Sequence, residues 1–282
     1  MYKSLRRNRR NHNTLSGGAD VSDAVDSTES YNQSLLNLQN SKNKKSHNIL
    51  GRLMGVGWGS VFRRRAKAAD VNSLDKAISA LSKTQGSLSD DERQVLIDNM
   101  IKLLEEGGDK AAVSTIHDYV EAGSSKINRL LRSGEGGSGL DDFLRDINNL
   151  NNYKGMSYRA VFISLAGKEK LEKGIGDIFI DNGVQSASIN PVNASGWMTD
   201  DFVKQSKSKR EMPAVFIFDE FVSQKNMSSA FLADHVVVRP GTPLELLAVK
   251  NANGVTYAYF TSPSKIPKNT YRLYDGVKTK FA

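Results

Sequence analysis

An α+β fold is what the sequence predicts, with helices first and strands after. From Val71 to about Tyr153 the apolar residues recur at spacings of three and four, and beyond Tyr153 the period shortens to two. Segregation of helices from strands along the chain marks this class off from alternating α/β folds. Charge supplies a third observation. Residues 1–70 hold 13 Lys/Arg and 5 Asp/Glu and the rest of the chain 26 of each, so the whole net charge of +8 sits in the first quarter. The chain therefore divides into a basic extension (1–70), a helical part (71–152) and a sheet part (153–282).

Composition excludes several chemistries. A chain of 282 residues holds one good-sized domain plus an extension, or two small domains. It has no cysteine, which rules out a disulfide framework, a thiolate metal site and a Cys nucleophile. His12, His47, His117 and His235 are scattered without ligand spacing, so no metal site is expected. No apolar run reaches the length of about 18 residues that a membrane-spanning helix needs. The basic N-terminus has no apolar run behind it, so no standard secretory signal is expected.

Residues 1–48 are rich in Asn, Ser, Arg and Lys and poor in aromatics, a composition that buries too little apolar surface to offset ordering entropy. The arginines at 6, 7, 9 and 10 and the lysines at 42, 44 and 45 suit nucleic acid, an anionic membrane or a virion partner. A solvated tail, or an address read by another protein, fits them equally. Residues 49–62, ILGRLMGVGWGSVF, are too short to span a bilayer. They fit either a membrane interface, with Trp58 and Phe62 as anchors, or a linker.

Helices follow. Leu74, Ile78 and Leu81 keep helical spacing, and Ser89-Asp90-Asp91-Glu92 is a capping box. The next helix presents Val95, Leu96, Met100, Ile101 and Leu104, then stops at Gly107-Gly108. Another is expected over 109–122, with Val113, Ile116, Tyr119 and Val120 inward, then one over 124–132. A last helix spans 140–150 with Phe143, Leu144 and Ile147 inward. Strands are expected at 157–164, 177–180, 184–189, 213–218, 235–239, 243–249, 255–260 and 271–274.

The stretch GDIFIDNGVQSASINPVNASGW, residues 176–197, is the most informative. Asn182-Gly183 is a turn signal between two short strands. Ser186 and Ser188, two apart on a strand, face the same way and can serve one site. An ordinary hairpin with a polar outer face would look the same. The surroundings decide between the two. Tyr158-Arg159 lies 27 residues before Ser186, and HVVVRPGT, from His235 to Thr242, lies about 50 after it. HDYVEAGSSKINRLLRSG, residues 117–134, precedes both. In this order and spacing the pieces resemble the Tyr-Arg, Ser-x-Ser and "VL..PGT" segments, and the "YT..GY..IN..LR.G" helix, of the toxin-like mono-ADP-ribosyltransferases. The resemblance covers roughly residues 88–282.

It implies a helical lobe over two packed, mainly antiparallel sheets that form a cleft for NAD, which is the substrate. Arg159 would hold the diphosphate, since a guanidinium matches phosphate oxygens and a bare charge on an apolar strand is costly. Ser186 and Ser188 would fix the nicotinamide end, and the loop from Asn190 to Gly196 would border that pocket. Trp197 falls where the family has a core aromatic. The loop from Val222 to Leu232 would meet the protein acceptor through Ser223, Gln224, Lys225 and Asn226.

One role is unfilled. Aligning the segments puts His235 where the family has its catalytic Glu, and Ala233 where it has an upstream Gln or Glu. Asp234 is a carboxylate one position off, which on a regular strand would face away unless a β-bulge turned it. Asp234 is the first candidate for the missing charge, followed by Glu220 and then Glu245. The function implied is NAD-dependent ADP-ribosylation of a protein. The basic extension suits an injected bacterial effector or a virion-borne phage enzyme acting in host cytoplasm. The alternative is a degenerate transferase fold with a structural or binding role.

Overall fold

The computed structural model describes residues 66–83, 87–107, 113–196, 211–229, 232–265 and 270–280. The expectations for residues 1–65, including the 49–62 stretch, and for Trp197 lie outside these. The fold below belongs to the compact unit Leu53–Ser89 and Leu96–Ala282. Asp90–Val95 counts with a separate unit, within which Arg93 Nη1 lies 3.4 Å from Asp90 Oδ1.

Helix α1 (Ala68–Leu81) begins just inside the stretch expected as extension and buries Leu74, Ala77 and Leu81. Helix α2 (Asp90–Gly107) starts one residue past Ser89, where the capping box places it. Its buried face is rotated from the expected one: Leu103 is buried and Ile101 is 47% exposed. Leu103 packs into the main apolar cluster, and its carbonyl accepts from Asn226 Nδ2 at 2.6 Å and from Ser228 Oγ at 3.0 Å.

Helix α3 (Ser114–Asp118) is shorter than expected and leaves Val113 exposed. It does not stop at Gly123. The chain continues through one π turn (Tyr119–Gly123) into α4 (Ser124–Ser133). A Cβ at Gly123 would lie 2.9 Å from the Asp118 carbonyl oxygen, so the turn is tight enough to require glycine. Gly134, at φ 72°, ends α4 in the left-handed conformation, with Glu135 N donating to Leu130 O. Helix α5 (Ser138–Asn149) buries Leu140, Phe143 and Ile147.

Eleven strands follow among the described residues: β1 (Asn152–Tyr153), β2 (Ser157–Ser164), β3 (Ile178–Ile180), β4 (Gln185–Ser188), β5 (Glu211–Phe218), β6 (Gln224–Asn226), β7 (His235–Val238), β8 (Leu244–Ala252), β9 (Val255–Thr261), β10 (Thr270–Arg272) and β11 (Lys278–Thr279). Two helices sit among them. Helix α6 (Leu165–Lys173) has Ser164 as its cap, whose Oγ accepts from Gly167 N at 3.0 Å. Helix α7 (Pro191–Gly196) replaces the loop expected there.

The strands form one continuous ladder in the order β1-β6-β7-β4-β2-β5-β9-β8-β3-β10-β11. Pairing is antiparallel except for β5 with β9 and β3 with β10. The two expected layers are thus two flanks of one sheet, joined by the eight-residue register of β2 on β5. Val161 and Ala187 from one flank, and Phe179, Leu244 and Phe260 from the other, share a single apolar cluster. The flanks therefore face each other across a common core. A second cluster seats α1 on Tyr158, Ile217 and Tyr259, and a third seats Ile116, Tyr119 and Phe143 on Val184 and Val237.

Asn182-Gly183 does not close a hairpin. Strand β3 pairs with β8 and β10, and β4 pairs with β2 and β7, so the turn carries the chain from one flank to the other.

Candidate active site

Strands β2 and β4 are the centre of the site, and they pair at a single position, Tyr158 with Ser188. Beyond it the two strands part, and a polar side chain takes over the ladder's work. The Ser186 carbonyl accepts from Arg159 Nη1 at 2.5 Å. Arg159 Nε donates to Tyr274 Oη at 3.2 Å, and among the described residues Nη2 has no protein partner. Burial disfavours the charge on Arg159, but Tyr274, Tyr119 and Asp181 outweigh it, and its pKa is raised. A fixed guanidinium with free donors suits an anion.

The two serines are held differently. Ser186 Oγ lies 3.0 Å from Tyr119 Oη, which also accepts from Asn128 Nδ2 at 3.4 Å. Asn128 Oδ1 accepts from Val184 N at 2.6 Å, so the π turn and α4 fix the entry to β4. Ser188 Oγ accepts from Asn190 N at 2.9 Å and donates to Asp234 Oδ2. Asn190 caps α7, its Oδ1 accepting from Val192 N at 3.0 Å, with Pro191 at the first helical position.

Asp234 reaches this cluster without the expected bulge. It stands in the turn just before β7, and its backbone carbonyl accepts from Ile189 N at 3.0 Å. The side chain is therefore free of the strand's alternation. Asn193 Nδ2 of α7 donates to Oδ2 at 2.9 Å, so both side-chain donors hold the same oxygen. Among the described residues Oδ1 has no partner. Asp234 is 8% exposed, and these hydrogen bonds satisfy Oδ2.

His235 opposes Ser188 across β4 and β7 and is 9% exposed. Among the described residues its Nδ1 has no hydrogen-bond partner. Burial lowers its pKa to about 4, with Asp234 opposing and Arg159 adding to the effect. The imidazole is neutral at pH 7 and puts no positive charge beside Asp234.

The remaining candidates lie on other elements. Glu220 lies in the turn after β5, and its charge acts on the Tyr259 hydroxyl. Glu245 pairs with Thr261 and Ile178 on β8, with β2, β5 and β9 between it and β4 in the ladder. The expected acceptor loop contains a short strand. Gln224, Lys225 and Asn226 form β6 and are buried, with Lys225 Nζ bonded to the Asn148 and Leu150 carbonyls at 2.9 and 2.8 Å. Ser223 is exposed, beside Phe221 at 61% exposure. No group of three or more His, Asp or Glu among the described residues could hold a metal ion. No described helix is long and apolar enough to cross a membrane.

Several residues at the site went unpredicted. Tyr119, Asn128 and Arg132 lie in the helical segment whose pattern was noted, but their roles depend on the π turn. Asn193 and Tyr274 carry no local signal. Asn190-Pro191 did carry one, since Asn before Pro is a helix-start pattern.

No protein-family model matches the sequence, and no curated protein matches it. Solved structures do. The Vis toxin, an ADP-ribosyltransferase from Vibrio splendidus, superposes with a TM-score of 0.54 at 18% identity, over 72% of this chain and 100% of that one. Vis in complex with the M6 inhibitor gives 0.56 at 20% identity, over 73% and 98%. Vis in complex with agmatine gives 0.53 at 19% identity, over 72% and 99%. The chain therefore has the fold of the ADP-ribosyltransferase toxins.

Proposed function

We propose that the protein is an NAD-dependent mono-ADP-ribosyltransferase that modifies a protein. One observation carries the reading: from the turn just before the strand that pairs with β4, Asp234 presents a carboxylate whose Oδ2 is held by Ser188 and Asn193 and whose Oδ1 has no partner among the described residues. The reaction breaks the bond between the anomeric carbon and nicotinamide, whose electron pair leaves with nicotinamide. The ribose gains positive character, and a nucleophile of the acceptor bonds to the same carbon and loses its proton. Arg159 holds the diphosphate. Ser186 and Ser188 shape the nicotinamide end with Asn190, and Asp234 stabilises the developing charge. A neutral His235 lines the site and leaves that charge unopposed. Glu220 is the reserve carboxylate.

The acceptor meets the surface near Phe221 and Ser223, and the basic extension supports delivery as an effector or a virion-borne enzyme acting in host cytoplasm. The second reading, a degenerate fold with a binding role on nucleic acid, membrane or a virion partner, draws on Ala233 and His235 standing where the family has acidic or amide side chains. Labelled NAD with a host-cell lysate separates the two. Transfer of label to a protein by the parent and not by Arg159→Ala supports the enzyme. Absence of transfer by a parent that binds NAD supports the second reading.

A further inference from the structure

Arg159 and Arg132 are joined by an unbroken chain of hydrogen bonds through Tyr274, Gln185 and Asp181. Arg159 Nε donates to Tyr274 Oη at 3.2 Å, and Tyr274 Oη donates to Gln185 Oε1 at 2.5 Å. Gln185 Nε2 donates to Asp181 Oδ2, which also takes Arg132 Nη2 at 2.7 Å, while Arg132 Nε donates to Asp181 Oδ1 at 2.9 Å. Chemistry fixes every direction. A guanidinium only donates, so Tyr274 must accept from Arg159 and spend its one proton on Gln185. An ionised Asp181 only accepts, so the Gln185 amide must turn its NH₂ to it. Flipping Gln185 would leave the tyrosine proton without an acceptor and set a carbonyl against a carboxylate.

The middle of the chain is rigid. Gln185 is 2% exposed, and its backbone pairs with Val238. Tyr274 O accepts from Ser164 N at 3.0 Å, and Leu273 N donates to Ile180 O at 2.8 Å, which pins Tyr274 to both flanks of the sheet. Its ring packs on Phe216 at 5.8 Å and under the Arg132 guanidinium at 5.0 Å. On its far side Arg132 lies against Gly183, where a Cβ would come within 2.9 Å of it. The Tyr274 hydroxyl is thus a fixed acceptor, while the stem of Arg159 is long and flexible.

We infer that Tyr274 is a positioning residue: its hydroxyl, oriented through Gln185 and Asp181, sets the plane of the Arg159 guanidinium. Its effect on turnover rests on the NAD reading above, but its effect on Arg159 does not. Tyr274→Phe keeps the ring and both of its packing contacts and removes the hydroxyl, which accepts from Arg159 and donates to Gln185.

The test uses the full chain and two readouts. The first is the Nε–H resonance of Arg159 in a nitrogen–proton correlation spectrum without ligand. It should be slowly exchanging in the parent and broadened or lost in Tyr274→Phe, which also leaves Gln185 Oε1 without its donor, so a lower Tm with a parent-like circular-dichroism spectrum and cooperative unfolding shows that the fold is kept. Gln185→Leu, which breaks the next link, should weaken the same signal. The second is NAD affinity by calorimetry together with steady-state transfer. Tyr274→Phe should raise Kd and KM for NAD about tenfold, as expected for loss of a hydrogen bond to a charged group, with kcat within about twofold. In an Arg159→Lys background, which keeps part of the affinity but has no Nε–H, the substitution should change Kd by less than it does in the parent. An unaltered Nε–H signal in Tyr274→Phe overturns the inference, as does an equal loss in both backgrounds. A parent that binds no NAD, with the Nε–H signal still lost in Tyr274→Phe, overturns the transferase reading and leaves the positioning role standing.

Discussion

The Asp234 carboxylate accepts a hydrogen bond from Ser188, although the two residues lie 46 positions apart and Asp234 is one position off the family's catalytic place. The contact arises because Asp234 ends a turn and does not belong to the strand after it. A residue on β7 itself would have been bound to the alternation that turns every second side chain away.

Arg159 is the one guanidinium bonded to a carbonyl of β4 among the described residues, and its free donors face no carboxylate there. Arg159→Ala should abolish NAD binding as measured by calorimetry, and Arg159→Lys should retain only part of it, since an ammonium lacks the planar fork. An affinity unchanged in Arg159→Ala would remove this residue from the site.

His235 makes stability depend on pH. Its folded-state pKa of about 4 lies below the ordinary value of 6.5, so between these pH values the unfolded chain binds a proton that the folded chain does not. Its contribution to stability is complete above about pH 6.5 and falls as the pH drops to 4, by about 3 kcal/mol in all. Urea unfolding across pH 7 to 4 should show this limb in the parent and a flatter one in His235→Gln. Identical profiles would mean that His235 takes up its proton at the same pH in the folded and unfolded chain.

Asn128 holds the start of β4 by accepting from the Val184 N–H, a buried donor. Asn128→Ala leaves that donor unpaired and should cost about 1–3 kcal/mol in chemical denaturation. It also frees Tyr119, so transfer activity should fall with stability. A loss below about 0.5 kcal/mol would show that water replaces the side chain.

The basic extension holds the whole net charge of the chain. Removing residues 1–65, and so keeping α1 from Ala68, should leave a folded protein whose isoelectric point is near neutral. Circular dichroism without helix signal after that deletion would show that the fold needs the extension.

Much of this was legible because it is periodic or local. The helix-then-strand order, the helix start just after Ser89 and the strand carrying Arg159 each follow from residue spacing within a few positions. Ser188 meeting Asp234 was legible only in part. The sequence offered the carboxylate but put it on the wrong face, because the extent of a turn depends on tertiary pairing. Continuity of the sheet was hidden for a similar reason, since the β2–β5 register joins residues about 50 apart. The π turn shifts Tyr119 and Asn128 relative to a regular helix, and Gly123 looked like a helix stop when it is a point of close backbone approach. Lys225 illustrates the opposite error. A polar residue in an expected loop suggested contact with a partner, yet its ammonium closes the end of α5.

The central claim is that Asp234 stands in for the missing glutamate. Single-turnover release of nicotinamide from NAD, in parent and Asp234→Asn, tests it most directly. The amide keeps the size of the side chain and loses the charge. The account predicts a rate lower by about 10²–10³ in Asp234→Asn, with NAD affinity little changed. An unchanged rate, or the same loss in Glu220→Gln with none in Asp234→Asn, would contradict it.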